Sequence, residues 1–253
     1  MRRFPLVIRG GPFPIRRLGR FLLWQRPSLY RWVGIIRQYG DCLKTDFDIW
    51  MGGYPRSANT FAAVAFKLAN PKISLASHFH VPAFIIQGLK AGKPGIFLIR
   101  RPEDCVVSWT LYWNGKLRLE DSLNYYVDFH LLILPHLKKL FVATFEQTTS
   151  DFGQLVSEFN ARFGTHYATL PTDAAALRSC VAHVEDFHRS GDGSVNELTV
   201  SRPSAKRAAL KPDLLIALRQ SPRLREKLNK AELLYDSFYK ATVLKATHDR
   251  QDH

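Results

Sequence analysis

Met51-Gly52-Gly53-Tyr54-Pro55-Arg56-Ser57-Ala58-Asn59-Thr60-Phe61 joins a short apolar run to a segment with helical character. The run over 48–53 (DIWMGG) reads as a buried strand, and 58–69 reads as a helix. Backbone N–H groups at such a strand-to-helix turn converge on one point, and the helix N-terminus adds positive potential there. Ser57, Asn59 and Thr60 add side-chain donors, and Arg56 adds a charged fork. Taken alone, these residues suit either a phosphate cradle or a plain helix cap with Ser57 as the cap residue. They do not make a working Walker loop. Aligned on Gly53, that pattern needs Gly and Lys where Ala58 and Asn59 stand, and the cation lies earlier, at Arg56.

Working outward, strands and helices alternate. A second strand is predicted over 73–75, a helix over 82–91, and a strand over 95–100 (GIFLIR) from its apolar β-branched run. Pro102 suits the first turn of a helix over 102–113, with Glu103 and Asp104 at its positive end. A longer helix is predicted over 119–137, a strand over 141–145 (FVATF) and a helix over 152–163. The Ser-, Gly- and Pro-containing basic stretch over 189–211 reads as a loop, followed by helices over 211–220 and 223–241. This order predicts a single-domain, three-layer α/β/α fold with a central, mainly parallel sheet, P-loop-like in plan, over 46–253.

Composition bounds the function. The 253 residues are 46% hydrophobic and 23% charged, ordinary globular usage with a sizeable core. No apolar run approaches the roughly 20 residues that span a bilayer, and no conventional secretory signal is evident. Cys42, Cys105 and Cys180 are too few and too widely spaced for a disulfide framework, which favours a cytoplasmic setting. The net charge of +14 is uneven: residues 1–40 hold nine arginines and no acidic residue. Such charge attracts polyanions, whether nucleotide, nucleic acid, glycan or anionic membrane. Within the 1–45 leader, Ile15, Leu18, Leu22 and Gln25 share one helical face. That stripe predicts a helix packed on the domain, with an anionic membrane surface as the alternative partner.

The loop resembles that of sulfotransferases using 3′-phosphoadenosine-5′-phosphosulfate (PAPS), whose Y-P-K-S-G-T-T-W-like segment binds the donor's 5′-phosphosulfate. Tyr54 to Phe61 matches it with Arg for Lys, Ala for Gly, Asn for Thr and Phe for Trp. The family's second motif, R-N-P-K-D-V-A-V-S-like, is matched by Arg100-Arg101-Pro102-Glu103-Asp104-Cys105-Val106-Val107-Ser108. The resemblance implies that Arg56, Ser57, Ala58, Asn59 and Thr60 hold the 5′ end of PAPS. It places Phe61 near the adenine and Arg100 and Ser108 on the 3′-phosphate. Arg100 leaves the C-terminal end of a strand, where α/β sheets place ligands. Arg100 and Ser108 could meet one phosphate only if it lay beside the helix.

The resemblance also points to His80-Val81-Pro82, twenty positions before Arg100, as the family's H-L-P-like segment with His80 as general base. Histidine suits this role because its ordinary pKa is near neutrality. His78 stands where relatives often carry a Lys; in an extended segment both imidazoles would point the same way. Arg202 is the first candidate for the C-terminal phosphate contact, within Ser201-Arg202-Pro203-Ser204-Ala205-Lys206-Arg207, and Arg207 is the second. Phe145 stands where relatives often place an adenine-side Tyr, before Glu146. The implied chemistry is in-line sulfuryl transfer to a hydroxyl or amine, with PAPS as donor co-substrate and no metal. Cys180, His183 and His188 match no zinc spacing and read as residues scattered on a helix. The acceptor class stays open among small molecules, lipids and glycans, and no nucleic-acid partner is expected. The alternatives are a P-loop-like nucleotide-dependent phosphotransferase and a non-catalytic basic binding module.

Overall fold

The structure is a computed structural model that describes residues 19, 21–26, 28–29, 46–78, 80–171 and 173–248, with side chains to 242. Strands β1 (Ile49–Gly53), β2 (Leu75–Ala76), β3 (Gly95–Ile99) and β4 (Phe141–Thr144) form one sheet in the order β2-β1-β3-β4. Every neighbouring pair is parallel, with Met51 opposite Ile96 and Leu98 opposite Ala143. Parallel neighbours need crossover connections, and helices supply them. Helix α1 (Asn59–Ala69) joins β1 to β2, and α2 (Pro82–Lys90) joins β2 to β3. Helices α3 (Pro102–Tyr112) and α4 (Leu119–Ile133), with a 3-10 turn at Leu134–Lys139, lead to β4. Then come α5 (Phe145–Ser150), α6 (Phe152–Phe163), α7 (Ala174–His188), α8 (Ala205–Gln220) and α9 (Pro222–His248).

Strands β1, β3 and β4 are buried on both sides, as parallel sheets require, and their alternation builds two cores. Trp50, Phe97, Ile99 and Val142 face α2, α3, α4, α8 and α9. Ile49, Met51, Ile96, Leu98, Phe141 and Ala143 face α1, α6 and α7. The result is the three-layer α/β/α architecture expected from the sequence. Gly95 is needed where it stands, because a Cβ there would overlap the Trp50 indole.

Several boundaries differ for physical reasons. The helix predicted over 119–137 ends at Ile133, because Pro135 brings no N–H to the helical ladder, and the chain continues as a 3-10 turn. The loop predicted over 189–211 is shorter, since Ser204 caps α8 by accepting from the Arg207 amide. Helix α5 was not anticipated, and α7 was expected only as a helix carrying Cys180, His183 and His188, without bounds. Thr144 and Gln147 form a reciprocal capping box for α5, and Asp173 caps α7.

In the leader, residues 21–25 are helical, but the buried contacts are Leu23 and Trp24, and Trp24 meets the Tyr125 ring edge-on at 4.7 Å. Leu22 and Gln25, expected on the packed stripe, are exposed. Ile15 and Leu18 lie outside the described residues.

Candidate functional site

β1 and β3 are neighbours, yet the chain leaves them toward opposite layers: α1 packs in one core and α3 in the other. Open α/β sheets take ligands outside the C-terminal ends of strands at such a reversal. The 54–58 loop and Arg100 both start there. Gly53 permits the close approach, since a Cβ would collide with the Leu98 carbonyl.

Tyr54 anchors the loop. Its ring is fully buried, and its hydroxyl meets the Ser122 carbonyl at 3.0 Å and the Ser122 hydroxyl at 2.8 Å. Asn59 Nδ2 donates to the Tyr54 carbonyl at 3.0 Å. Arg56 and Ala58 adopt left-handed φ values of 69° and 65°. Ala58, not Ser57, is the N-cap of α1, and no side chain caps that end. The plain-cap reading therefore fails. Ser57 Oγ and Asn59 Oδ1 are instead buried without a hydrogen-bond partner among the described residues. Such atoms carry a desolvation cost that a ligand's hydrogen-bonding groups would relieve.

Arg56 is the centre of the site. Its Nε donates to Ser108 Oγ at 3.0 Å; Nη1 and Nη2 donate to the Thr199 and Val200 carbonyls, each at 2.9 Å. Arg100 Nη1 donates to the Arg56 carbonyl at 3.0 Å, and its guanidinium lies 3.9 Å from the Phe145 ring centroid. Phe145 thus backs a cation in the structure. Arg100 and Ser108 are joined through Arg56. Burial, then repulsion from Arg207 and Arg100, brings the Arg56 guanidinium down to about 9. Three arginines in one electrostatic neighbourhood favour an anion between them.

The two C-terminal candidates separate. Arg202 is paired with Glu185 and Glu197, so its charge is balanced locally. Arg207 is buried, donates to the Glu197 and Val200 carbonyls at 2.7 and 2.8 Å, and shares the field of Arg56 and Arg100. Helix α8 is fastened over α3 by Lys211 to Asp104 (2.7 Å) and Arg219 to Glu103 (2.6 Å).

His80 Nδ1 lies 3.0 Å from the Gly53 carbonyl, which can only accept, so the proton sits on Nδ1 and the lone pair on Nε2. The Tyr125 hydroxyl donates to the His80 carbonyl. Burial, with Arg56 adding to it against the Gly53 hydrogen bond, pulls the imidazole down to about 4, leaving it neutral near pH 7. His78 does not share its direction. With φ at 67° the segment is not extended there, and the His78 ring stacks on Phe187 at 5.0 Å. Thr60 is buried and accepts from Ser201 Oγ at 3.2 Å, while Phe61 packs partly buried against the α1 core.

Sequence reasoning missed one participant. His188, at the end of α7, places Nε2 2.8 Å from Ser201 Oγ. Nothing in its spacing marked it. Cys180, on the same helix, is buried near the Phe61 carbonyl, and His183 is exposed. Among the described residues no group of three or more His, Cys, Asp or Glu could hold a metal ion. None of their helices is long and apolar enough to cross a membrane.

No protein-family model matches the chain, and no curated protein matches it in sequence. Among solved structures it is similar to the crystal structure of mouse sulfotransferase SULT7A1 complexed with PAP. The match covers 73% of this chain and 89% of that one, at 14% identity and a TM-score of 0.40. A likeness that distant transfers no residue role.

Proposed function

We propose that the protein transfers a sulfuryl group from PAPS to a hydroxyl or amine of an acceptor. The observation that carries this reading is the 3.0 Å hydrogen bond from Arg56 Nε to Ser108 Oγ. It joins, across 52 positions, the two segments whose sequences are directed at phosphates. A nucleotide phosphorylated at both its 3′ and 5′ positions calls for cations at two adjacent places, and Arg56, Arg100 and Arg207 supply them. The unpartnered Ser57 hydroxyl and Asn59 amide oxygen, beside the N-terminus of α1, fit the same ligand.

When bound, PAPS supplies the activated sulfuryl group. Arg56 and the N–H groups of the loop balance negative charge that develops on the donor oxygens. His80, neutral with its lone pair on Nε2, takes the proton from the acceptor. Nothing in this scheme calls on a metal.

Calorimetric titration with 3′,5′-adenosine bisphosphate and with ADP, each with and without magnesium, tests the reading. Tighter, magnesium-independent binding of the bisphosphate is expected. A preference for ADP with magnesium would favour a phosphotransferase, and equal binding of the two would sink the proposal.

A further inference from the structure

Helix α7 ends in Phe187 and His188, and both reach the site from outside the phosphate loop. Phe187 takes the His78 ring, and His188 meets the segment 199–201. That segment occupies Arg56 with three oxygens: the carbonyls of Thr199 and Val200, each at 2.9 Å, and Ser201 Oγ at 3.4 Å. On its other side, Arg207 donates to the same Val200 carbonyl at 2.8 Å.

Ser201 Oγ is the point where three groups meet. Its single proton goes to Thr60 Oγ1 at 3.2 Å. His188 Nε2, at 2.8 Å, must then be the donor in its bond to Ser201, beside Arg56 Nη1. The imidazole can do this while neutral. Burial, then Arg56 and Arg207, pull it down to about 4. One hydroxyl therefore ties the segment to α7, to the first turn of α1 and to the loop cation.

We propose that His188 is a positioning residue: through Ser201 it holds the segment 199–201 on Arg56, where the segment's oxygens stand in for a donor anion. The consequence for binding rests on the reading of Arg56 as the cation that meets the donor. Charged phosphate oxygens make stronger bonds to a guanidinium than carbonyls do. An anion therefore displaces the segment, and the strength of the His188–Ser201 contact sets how readily it enters.

Two readouts test this, one of them independent of any nucleotide. The first is the rate at which phenylglyoxal labels Arg56, followed by peptide mass spectrometry. The second is the affinity for 3′,5′-adenosine bisphosphate. His188→Ala should speed the labelling and tighten bisphosphate binding, each roughly three- to tenfold, the worth of one ordinary hydrogen bond. His188→Gln, whose amide N–H replaces the imidazole donor, should restore wild-type values. Ser201→Ala should reproduce His188→Ala, and combining the two should add little. If His188→Ala does not fold, Ser201→Ala carries the test. Unchanged Arg56 labelling in the folded variants, or no rescue by Gln, overturns the inference. Faster labelling with no bisphosphate binding by any form supports the inference and overturns the sulfuryl-donor reading alone.

Discussion

His80 owes its chemical form to one carbonyl. Because the Gly53 carbonyl takes the Nδ1 proton, the Nε2 lone pair is fixed, and burial keeps the ring neutral down to about pH 4. Replacement by Ala should leave bisphosphate affinity within about twofold and lower turnover roughly 10²- to 10⁴-fold, the usual range for a general base. Steady-state kinetics beside calorimetry checks both halves; full turnover in His80→Ala would remove the base assignment. In kcat/KM, which reports the free enzyme, the acid limb should lie near pH 4. Arg56 contributes to that depression, so a bound anion should move the limb of kcat upward. Arg56 and His80 drew attention in the sequence because each stands in a short segment that resembles a sulfotransferase motif. His188 was not legible: its partner Ser201 meets it only through the path of the 189–204 loop.

The strand–loop–helix unit explains one departure from the sulfotransferase-like pattern. Ala58 stands where that pattern has Gly, and its φ of 65° lies in the left-handed region. An alanine there costs on the order of 1–2 kcal/mol, partly offset by the lower flexibility of its unfolded chain. Ala58→Gly should therefore gain about 0.5–1 kcal/mol, raising the melting midpoint by about 1–4 °C at this chain length. A lowered midpoint in a thermal melt would contradict that. Strands β1, β3 and β4 were readable because each is a short apolar run buried on both sides, whereas β2, two half-buried residues, overlaps its predicted span only at Leu75. Helix α5 escaped notice because it has six residues and buries only Thr148; the bounds of α7, which buries Cys180 and Val184, were not read either. Caps mark where both begin, and caps are short signals.

Among the described residues, three histidines are held neutral in the fold, each pulled down to about 4 and each chiefly by burial: His80, His130 and His188. The unfolded chain binds these protons near pH 6.5, so stability is present above that value and is lost as pH falls toward 4. His130 is the clearest case. It is fully buried among Tyr126, Phe129, Phe97 and Phe238, with Nδ1 2.9 Å from the Tyr126 carbonyl. Its share of the loss at pH 5 is about 2 kcal/mol. Urea unfolding at pH 7.5 and pH 5 should show that difference shrinking by about this amount in His130→Phe; an unchanged difference would contradict it. The charge of +14 was plain from composition, but composition could not show that Arg56, Arg100 and Arg207 gather by the C-terminal ends of β1 and β3 while Arg202 is neutralised by Glu185 and Glu197. That gathering is tested by titrating 3′,5′-adenosine bisphosphate and 5′-AMP into the wild type and into Arg100→Ala. Loss of the 3′-phosphate should weaken binding to the wild type by roughly 10- to 100-fold, as for a charge-assisted contact, and should matter little in Arg100→Ala. Equal affinity of the wild type for the two nucleotides would contradict it.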